Sequence, residues 1–264
     1  MIYSLIALVL FFGLFYLYLQ SKMFTVFHVN VQSKKIQGEL RLIQITDYHG
    51  NPWIDLEKLK TSILAFKPDI LLFTGDMQDN FDVPLERSLR LFQTLRELNL
   101  PMVAVLGNHE QGEGKEQYEE ALKALGVKLL KNECYQGELR GNLFTIIGMD
   151  HPFHASLYTP LMRQSTGYTL VLCHASKLIR EAVTGEEDLI LTGHTHGGQG
   201  RIPGIGAVYA PGEGFFPKYD KGLYHIGEKR VPLYVNSGLG NTFLPLRAFN
   251  AVAYAQIRIR GEEK

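Results

Sequence analysis

The sequence predicts an α/β fold in which two sheets pack together with helices outside them. Three observations carry this. Five short apolar runs, Leu42–Thr46, Ile70–Thr74, Met102–Leu106, Thr169–Cys173 and Leu189–Thr192, read as buried strands. In the first half such runs alternate with segments of helical spacing, which lays helices over strands. From Val127 onward strands dominate. Each of the five runs also delivers residues able to bind a metal: Asp47-Tyr48-His49, Gly75-Asp76, Gly107-Asn108-His109-Glu110, His174 and Gly193-His194-Thr195-His196. The carboxyl ends of buried strands are where α/β folds place ligands.

Taken in order, Ile2–Leu19 is apolar apart from Ser4 and three tyrosines and carries no charge. As a helix it spans roughly 27 Å, close to a bilayer core. Tyr16 and Tyr18 sit near one end, where aromatic belts occur. It has neither a basic leading segment nor a small-x-small cleavage site. It therefore reads as a permanent membrane anchor rather than a cleaved signal peptide or a buried core helix. Lys22, Lys34, Lys35 and Arg41 follow the span and none precedes it, which tips the expected side of the body to the cytoplasm.

Met23–Gln37 alternates apolar residues and reads as an edge strand or a juxtamembrane segment. Asp55–Phe66 places Leu56, Leu59, Ile63 and Leu64 at helical spacing and is ended by Pro68. Pro84–Asn99 is a second helix with Leu85, Leu89, Phe92 and Leu95 on one face. Lys115–Leu125 is a third, stopped by Gly126. Further strands are expected at Asn142–Gly148, Ala207–Ala210, Leu233–Asn236 and Ala251–Arg258. Gly197–Gly240 is rich in Gly, Pro and aromatics, and reads either as a long functional loop or as turns joining short strands. The expected organisation is an anchor over residues 1–21 and one body over residues 22–264, with no internal repeat.

With 264 residues the chain can build one large core. Its formal net charge is zero and it has no long basic run, so it carries no electrostatic footprint for nucleic acid. The two cysteines, Cys134 and Cys173, form neither a disulfide framework nor a CxxC site. Cys173 ends an apolar run and reads as a small buried residue.

The strand-end residues supply seven donors and a spare histidine. Asp76, behind Gly75, can bridge two cations about 3.5–4 Å apart. Asp47 and His49, two apart, can face one metal. His194 and His196, at the same spacing, can divide between two. His174 adds a nitrogen and Asn108 a neutral carbonyl oxygen. Two divalent ions against Asp47, Asp76 and one bridging hydroxide leave a slight positive charge, which suits a phosphate anion. His109 follows Asn108 and should point to substrate, where it can protonate a leaving oxygen or stabilise charge on phosphorus oxygens.

The set D-Y-H, G-D, G-N-H-E, C-H and G-H-T-H, in that order over Asp47–His196, resembles the calcineurin-like metallophosphoesterase superfamily. The resemblance implies a four-layer α/β/β/α sandwich of two mixed sheets with a dinuclear centre. Carried over by position, Asp47, His49, Asp76 and His196 would hold one metal. Asp76, Asn108, His174 and His194 would hold the other, and His109 would be the catalytic histidine. G-G-Q-G-R-I-P-G-I-G, F-F-P-K-Y-D-K-G-L-Y, N-S-G-L-G and L-P-L-R look like a membrane-anchored bacterial branch that includes enzymes resembling UDP-2,3-diacylglucosamine pyrophosphatases and relatives attached to Gram-positive envelopes. Tyr48 and the residues after His49 and His174 depart from the usual pattern without removing a ligand.

The expected function is hydrolysis of a phosphoester or pyrophosphate on an amphiphilic, membrane-held substrate such as UDP-2,3-diacylglucosamine. A hydroxide bridging the metals attacks phosphorus and His109 assists. Soluble or protein phosphoesters are the alternative substrates, and a metal-stabilised scaffold the non-enzymatic alternative. The expected cofactors are two divalent ions, with Mn, Fe, Zn and Co all suited to mixed imidazole and carboxylate ligands. Lys218, Tyr219 and Arg247 are candidate substrate contacts. Glu110 is expected to shape the loop after His109, and Asp79 and Asp82 to serve as turn residues or a helix cap. His28 and His225 read as structural or exposed, and His151 and His154, just after a strand, read as structural or as lying near the site.

Overall fold

The computed structural model describes residues 2–80, 83–241 and 247–262. Asp82 and Leu244-Pro245-Leu246 lie outside them. After the helix α1 (Ile2–Lys22), two six-stranded sheets form the body. The first contains β1 (Thr25–Ser33), β2 (Glu39–Ile45), β3 (Ile70–Thr74), β4 (Met102–Val105), β5 (Val127–Leu129) and β16 (Ala253–Gly261), in the order β1-β16-β2-β3-β4-β5. The second contains β6 (Glu133–Leu139), β7 (Asn142–Met149), β8 (Tyr168–Ala175), β9 (Leu189–Gly193), β14 (Gly222–Ile226) and β15 (Val231–Val235), in the order β14-β15-β9-β8-β7-β6. Two small hairpins, β10 (Arg201–Ile202) with β11 (Gly206–Ala207) and β12 (Tyr209–Ala210) with β13 (Gly214–Phe215), lie between β9 and β14.

Both sheets are mixed. In the first, β2 to β5 are parallel and β16 runs antiparallel to β2. In the second, β7, β8, β9 and β15 are parallel, with antiparallel β6 and β14 at the edges. Alternation along the strands builds the layers. Leu42, Leu72 and Val103 face Leu170, Leu172 and Leu191 between the sheets. Their neighbours Ile43, Phe73 and Ala104 point the other way, against helices α2 (Leu56–Phe66), α3 (Leu85–Arg96) and α4 (Lys115–Ala124). On the far side Ile147, Val171 and Ile190 pack against α5 (Ala155–Met162) and α6 (Ser176–Arg180). This is the four-layer sandwich. Each fully buried Leu or Ile in it contributes about 2 kcal/mol by leaving water.

Local signals set the helix ends. The Asp55 side chain accepts the Lys58 N–H at 3.0 Å and starts α2. Lys67 takes a left-handed φ of 53° and its N–H donates to the Leu64 carbonyl, which ends it. By length and composition α1 can cross a membrane, and Ile2–Phe15 are exposed.

One expectation changes and two alternatives are resolved. Ala207–Ala210 is not one strand: β11 and β12 belong to separate hairpins, and between them the Val208 N–H bonds back to Gly200. The Gly-rich stretch is therefore a set of turns joining short strands. The segment after Met23 is the edge strand β1, paired parallel with β16.

Candidate metal centre

The carboxyl ends of β2, β3 and β4 meet those of β8 and β9, and the seven donors converge there. His49 Nε2 lies 3.2 Å from His196 Nε2, and His196 Nε2 lies 3.4 Å from Asp47 Oδ1. His174 Nε2 lies 3.0 Å from Asn108 Oδ1, 3.1 Å from His194 Nδ1 and 3.0 Å from Asp76 Oδ2. Asp76 Oδ2 is also 3.9 Å from His49 Nε2, so this carboxylate sits between both groups. One pocket is thus Asp47, His49 and His196 with Asp76, and the other Asp76, Asn108, His174 and His194. His196, His174 and both carboxylates are buried.

Backbone geometry aims these side chains. Asp47, His49, Asp76, His194 and His196 all have φ between 48° and 72°. Side-chain-bearing residues rarely adopt that region, at a cost of about 1 kcal/mol each, and such strain concentrates at functional sites. A register shift between Leu172 and Ala175 re-aims His174 at the end of β8. Glycines let the loops touch: a Cβ on Gly107 would stand 2.1 Å from Asp76 Oδ1. Glu110 ties two of these loops together. Its carboxylate accepts the N–H groups of Gly107, Asp76, Met77 and Gln78 at 2.6–3.2 Å, the loop-shaping role expected for it.

The donor set fits divalent cations. Facing imidazole nitrogens at 3.1 and 3.2 Å cannot satisfy one another with lone pairs alone, whereas a cation accepts from both. His174 Nδ1 lies 2.8 Å from the Thr74 carbonyl and donates to it, so Nε2 is the nitrogen turned to Asp76 and Asn108. Burial works to lower the His174 pKa, but the Asp76 carboxylate, with Asp47 behind it, pushes it up to about 10. The site attracts positive charge. Asp47 Oδ1 and Oδ2 each accept the His194 N–H at 3.0 Å, and Asp76 Oδ1 accepts the His109 N–H at 2.9 Å.

His109 lies beside the pockets, its ring 4.7 Å from that of His49. Its Nδ1 is 2.9 Å from Asp79 Oδ1, an ion-pair distance with the N–H off the line of an ideal hydrogen bond. Against burial, this contact raises the His109 pKa. Asp79 Oδ1 also lies 3.6 Å from His49 Nδ1. Asp79 is therefore more than the turn residue expected, although it does accept the Asn80 N–H at 2.9 Å. The signal was its position three residues after Asp76.

Of the three candidate substrate contacts, Arg247 lies against His196, its Nη2 3.3 Å from the His196 Nδ1, and the other two lie away from the donors. Arg247 is fully buried. Its Nη2 hydrogens go to the Ser237 and Gly240 carbonyls at 2.7 and 2.5 Å, and Nη1 donates to the His196 carbonyl at 3.2 Å. Arg247 holds the backbone under His196 and is buried there. Tyr219 packs under the Arg180 guanidinium, 4.1 Å from its ring, while Arg180 pairs with Glu213. Lys218 is exposed over the Tyr219 ring. Neither contacts the seven donors. His154 caps α5. His151 comes closer than expected, its ring 5.9 Å from that of His174.

The sequence pattern of the calcineurin-like phosphoesterases matches residues 40–198. The chain is 32% identical to an uncharacterized metallophosphoesterase, YkuE, of Bacillus subtilis over 219 residues, 78% of this chain and 74% of the relative. It is 29% identical to phosphodiesterase YaeI of Escherichia coli, over 77% of this chain and 76% of that one. In fold it is similar to a 5'-nucleotidase precursor from Thermus thermophilus, with a TM-score of 0.52 at 18% identity. That alignment covers 84% of this chain and 54% of the nucleotidase, so the chain spans about half of that longer protein.

Proposed function

The chain belongs to the calcineurin-like phosphoesterase family and is a phosphoester hydrolase, and from that premise we propose how its centre works and on what. The observation that carries the reading is the convergence of four imidazoles, two carboxylates and one amide oxygen into two pockets sharing Asp76. Asp47, His49, Asp76 and His196 would hold one divalent cation, and Asp76, Asn108, His174 and His194 the other. Such cations lower the pKa of water and withdraw charge from phosphoryl oxygens.

The chain's own residues do the rest. Asp79 lies against the His109 ring and favours its protonated form, so His109 is placed to give a proton to the leaving oxygen. The Thr74 carbonyl fixes the His174 tautomer. Glu110 holds the Asp76 and Asn108 loops at one spacing, and Arg247 holds the turn that carries His196.

The substrate is a phosphoester on an amphiphile held in a membrane, a lipid-nucleotide or glycolipid such as UDP-2,3-diacylglucosamine. The apolar helix α1 and the exposed Phe215 and Phe216 support this, as does the resemblance of the Gly-rich segment. The test compares hydrolysis of UDP-2,3-diacylglucosamine in detergent with that of a generic soluble phosphodiester after metal stripping and Mn²⁺ titration. A strong preference for the lipid nucleotide is expected. Turnover of the soluble diester alone would keep the two-metal chemistry and remove the lipid substrate, as the phosphodiesterase name of the YaeI relative would suggest.

A further inference from the structure

The last turns of α1 are built into the body beside the metal centre. The Gln20 carbonyl accepts the Val252 N–H at 2.9 Å, and the Ser21 carbonyl accepts Asn51 Nδ2 at 3.2 Å. The Tyr16 hydroxyl accepts the Phe249 N–H at 3.2 Å. Tyr18 packs edge-on against Trp53 with ring centres 5.3 Å apart, and Tyr16 packs on Phe249 at 5.6 Å. Asn51 and Trp53 belong to the loop that follows His49, and they line one cavity together with His49 and Asp79.

On the other flank of α1, Gln20 and Phe249 share a cleft with Ile202 and Ile205 at the tip of the β10–β11 hairpin. The next hairpin, β12–β13, carries Tyr209 and Phe215, with Phe216 beyond. Its Gly212 sits so close to the centre that a Cβ there would lie 2.8 Å from His194 Nε2. An apolar fringe thus runs from the end of α1 to the lip of the centre. Ile205 is 69% exposed, Phe249 58%, Phe215 75% and Phe216 63%. A soluble surface rarely carries so many large apolar side chains together.

We propose that the mouth of the metal centre is seated on a lipid surface, with Trp53, Phe249 and the two hairpin tips at headgroup level. This rests on the reading of α1 as a membrane anchor. A helix needs about 20 residues to cross a ~30 Å hydrocarbon core. Of the 21 in α1, Tyr16 to Ser21 lie against the body, so Leu17 and Leu19 are level with the rim. Drawing the apolar run into lipid draws the rim to the interface with it. The occupant is a bilayer because the fringe continues an apolar helix exposed from Ile2 to Phe15. Lys22 fits the same seat: Nζ bonds the Tyr18 hydroxyl at 3.1 Å and lies over its ring, as a lysine does when it reaches for headgroups. A lipid phosphoester can then enter the centre without its chains crossing water.

Trp53 is the only tryptophan in the chain, so its emission reports this one position. The full chain is reconstituted in phosphatidylcholine–phosphatidylglycerol vesicles brominated near the glycerol end or near the methyl end of the acyl chains. Trp53 should lose more emission to the shallow bromines than to the deep ones. Phe216→Trp in a Trp53→Phe background should show the same order. Phe11→Trp in that background reports the helix itself and should lose most to the deep bromines. Quenching at Phe11→Trp with none at Trp53 or Phe216→Trp would overturn the seat and leave the anchor standing. No quenching at any of the three would overturn the anchor as well.

Discussion

The Asp79 carboxylate lies 2.9 Å from His109 Nδ1, so an acidic residue in the loop after β3 orients the imidazole delivered by the loop after β4. General acid catalysis by a positioned side chain accounts for about 10²–10⁴ in rate. Asp79→Asn should therefore lower kcat roughly a hundredfold, with KM and bound metal little changed. Steady-state kinetics with metal analysis of the same samples checks this. A variant with wild-type kcat would remove Asp79 from the mechanism.

Gly107→Ala should strip the centre without touching a ligand. The added Cβ would stand 2.1 Å from Asp76 Oδ1 and 2.7 Å from the Asp76 backbone nitrogen, neither of which can yield without moving the shared carboxylate. The expected outcome is loss of bound metal measured by elemental analysis, with activity falling in step. Retained metal and activity would show that the loops can separate.

The sequence carried the site further than it carried its support. Five strands, and the polar side chains that the fold gathers at their ends, were legible because buried parallel strands read as apolar runs and those residues follow them directly. The sheet order was not legible, since pairing of β1 with β16 joins the two ends of the body. Arg247 looked like a substrate contact because an arginine near a phosphate site usually is one. Only the fold shows its donors committed to backbone carbonyls. The left-handed backbone at Asp47, His49, Asp76, His194 and His196 leaves no trace in residue type, because aspartate and histidine are there for their side chains.

Arg247→Lys tests that reassignment. A lysine cannot span the Ser237, Gly240 and His196 carbonyls, and losing buried charge-assisted hydrogen bonds costs about 1.5–3 kcal/mol each. Thermal unfolding should shift down and kcat should fall, with KM near wild type. A rise in KM alone, at unchanged stability, would restore the substrate-contact reading.

Asp220 gives the chain an acid-labile tie. Its carboxylate accepts Arg201 Nη1 at 2.6 Å, the Lys221 N–H at 2.6 Å and the Tyr224 hydroxyl at 2.9 Å, while its carbonyl accepts the Thr195 hydroxyl between His194 and His196. Burial works to raise its pKa, but the Tyr224 hydroxyl, the backbone donors and Arg201 together hold it below the ordinary 3.8. A depressed carboxyl contributes stability that is present above 3.8 and lost as pH falls through the folded value. Asp220→Asn should thus be less stable than wild type in urea at neutral pH, with the gap closing below pH 3.8. A gap that persists unchanged into acid would place the effect outside this carboxylate's charge.

The two pockets sharing Asp76 are the proposed seat of the cations on which hydrolysis depends. The most direct measurement strips the protein of metal and titrates Mn²⁺ while following bound metal and hydrolysis of a generic phosphodiester, for wild type and Asp76→Ala side by side. Wild-type activity should return with metal and saturate near two ions per chain, one for each pocket. Asp76→Ala should bind less and recover no activity at any concentration. Full hydrolysis by the stripped protein, or full activity and full metal content in Asp76→Ala, would contradict it.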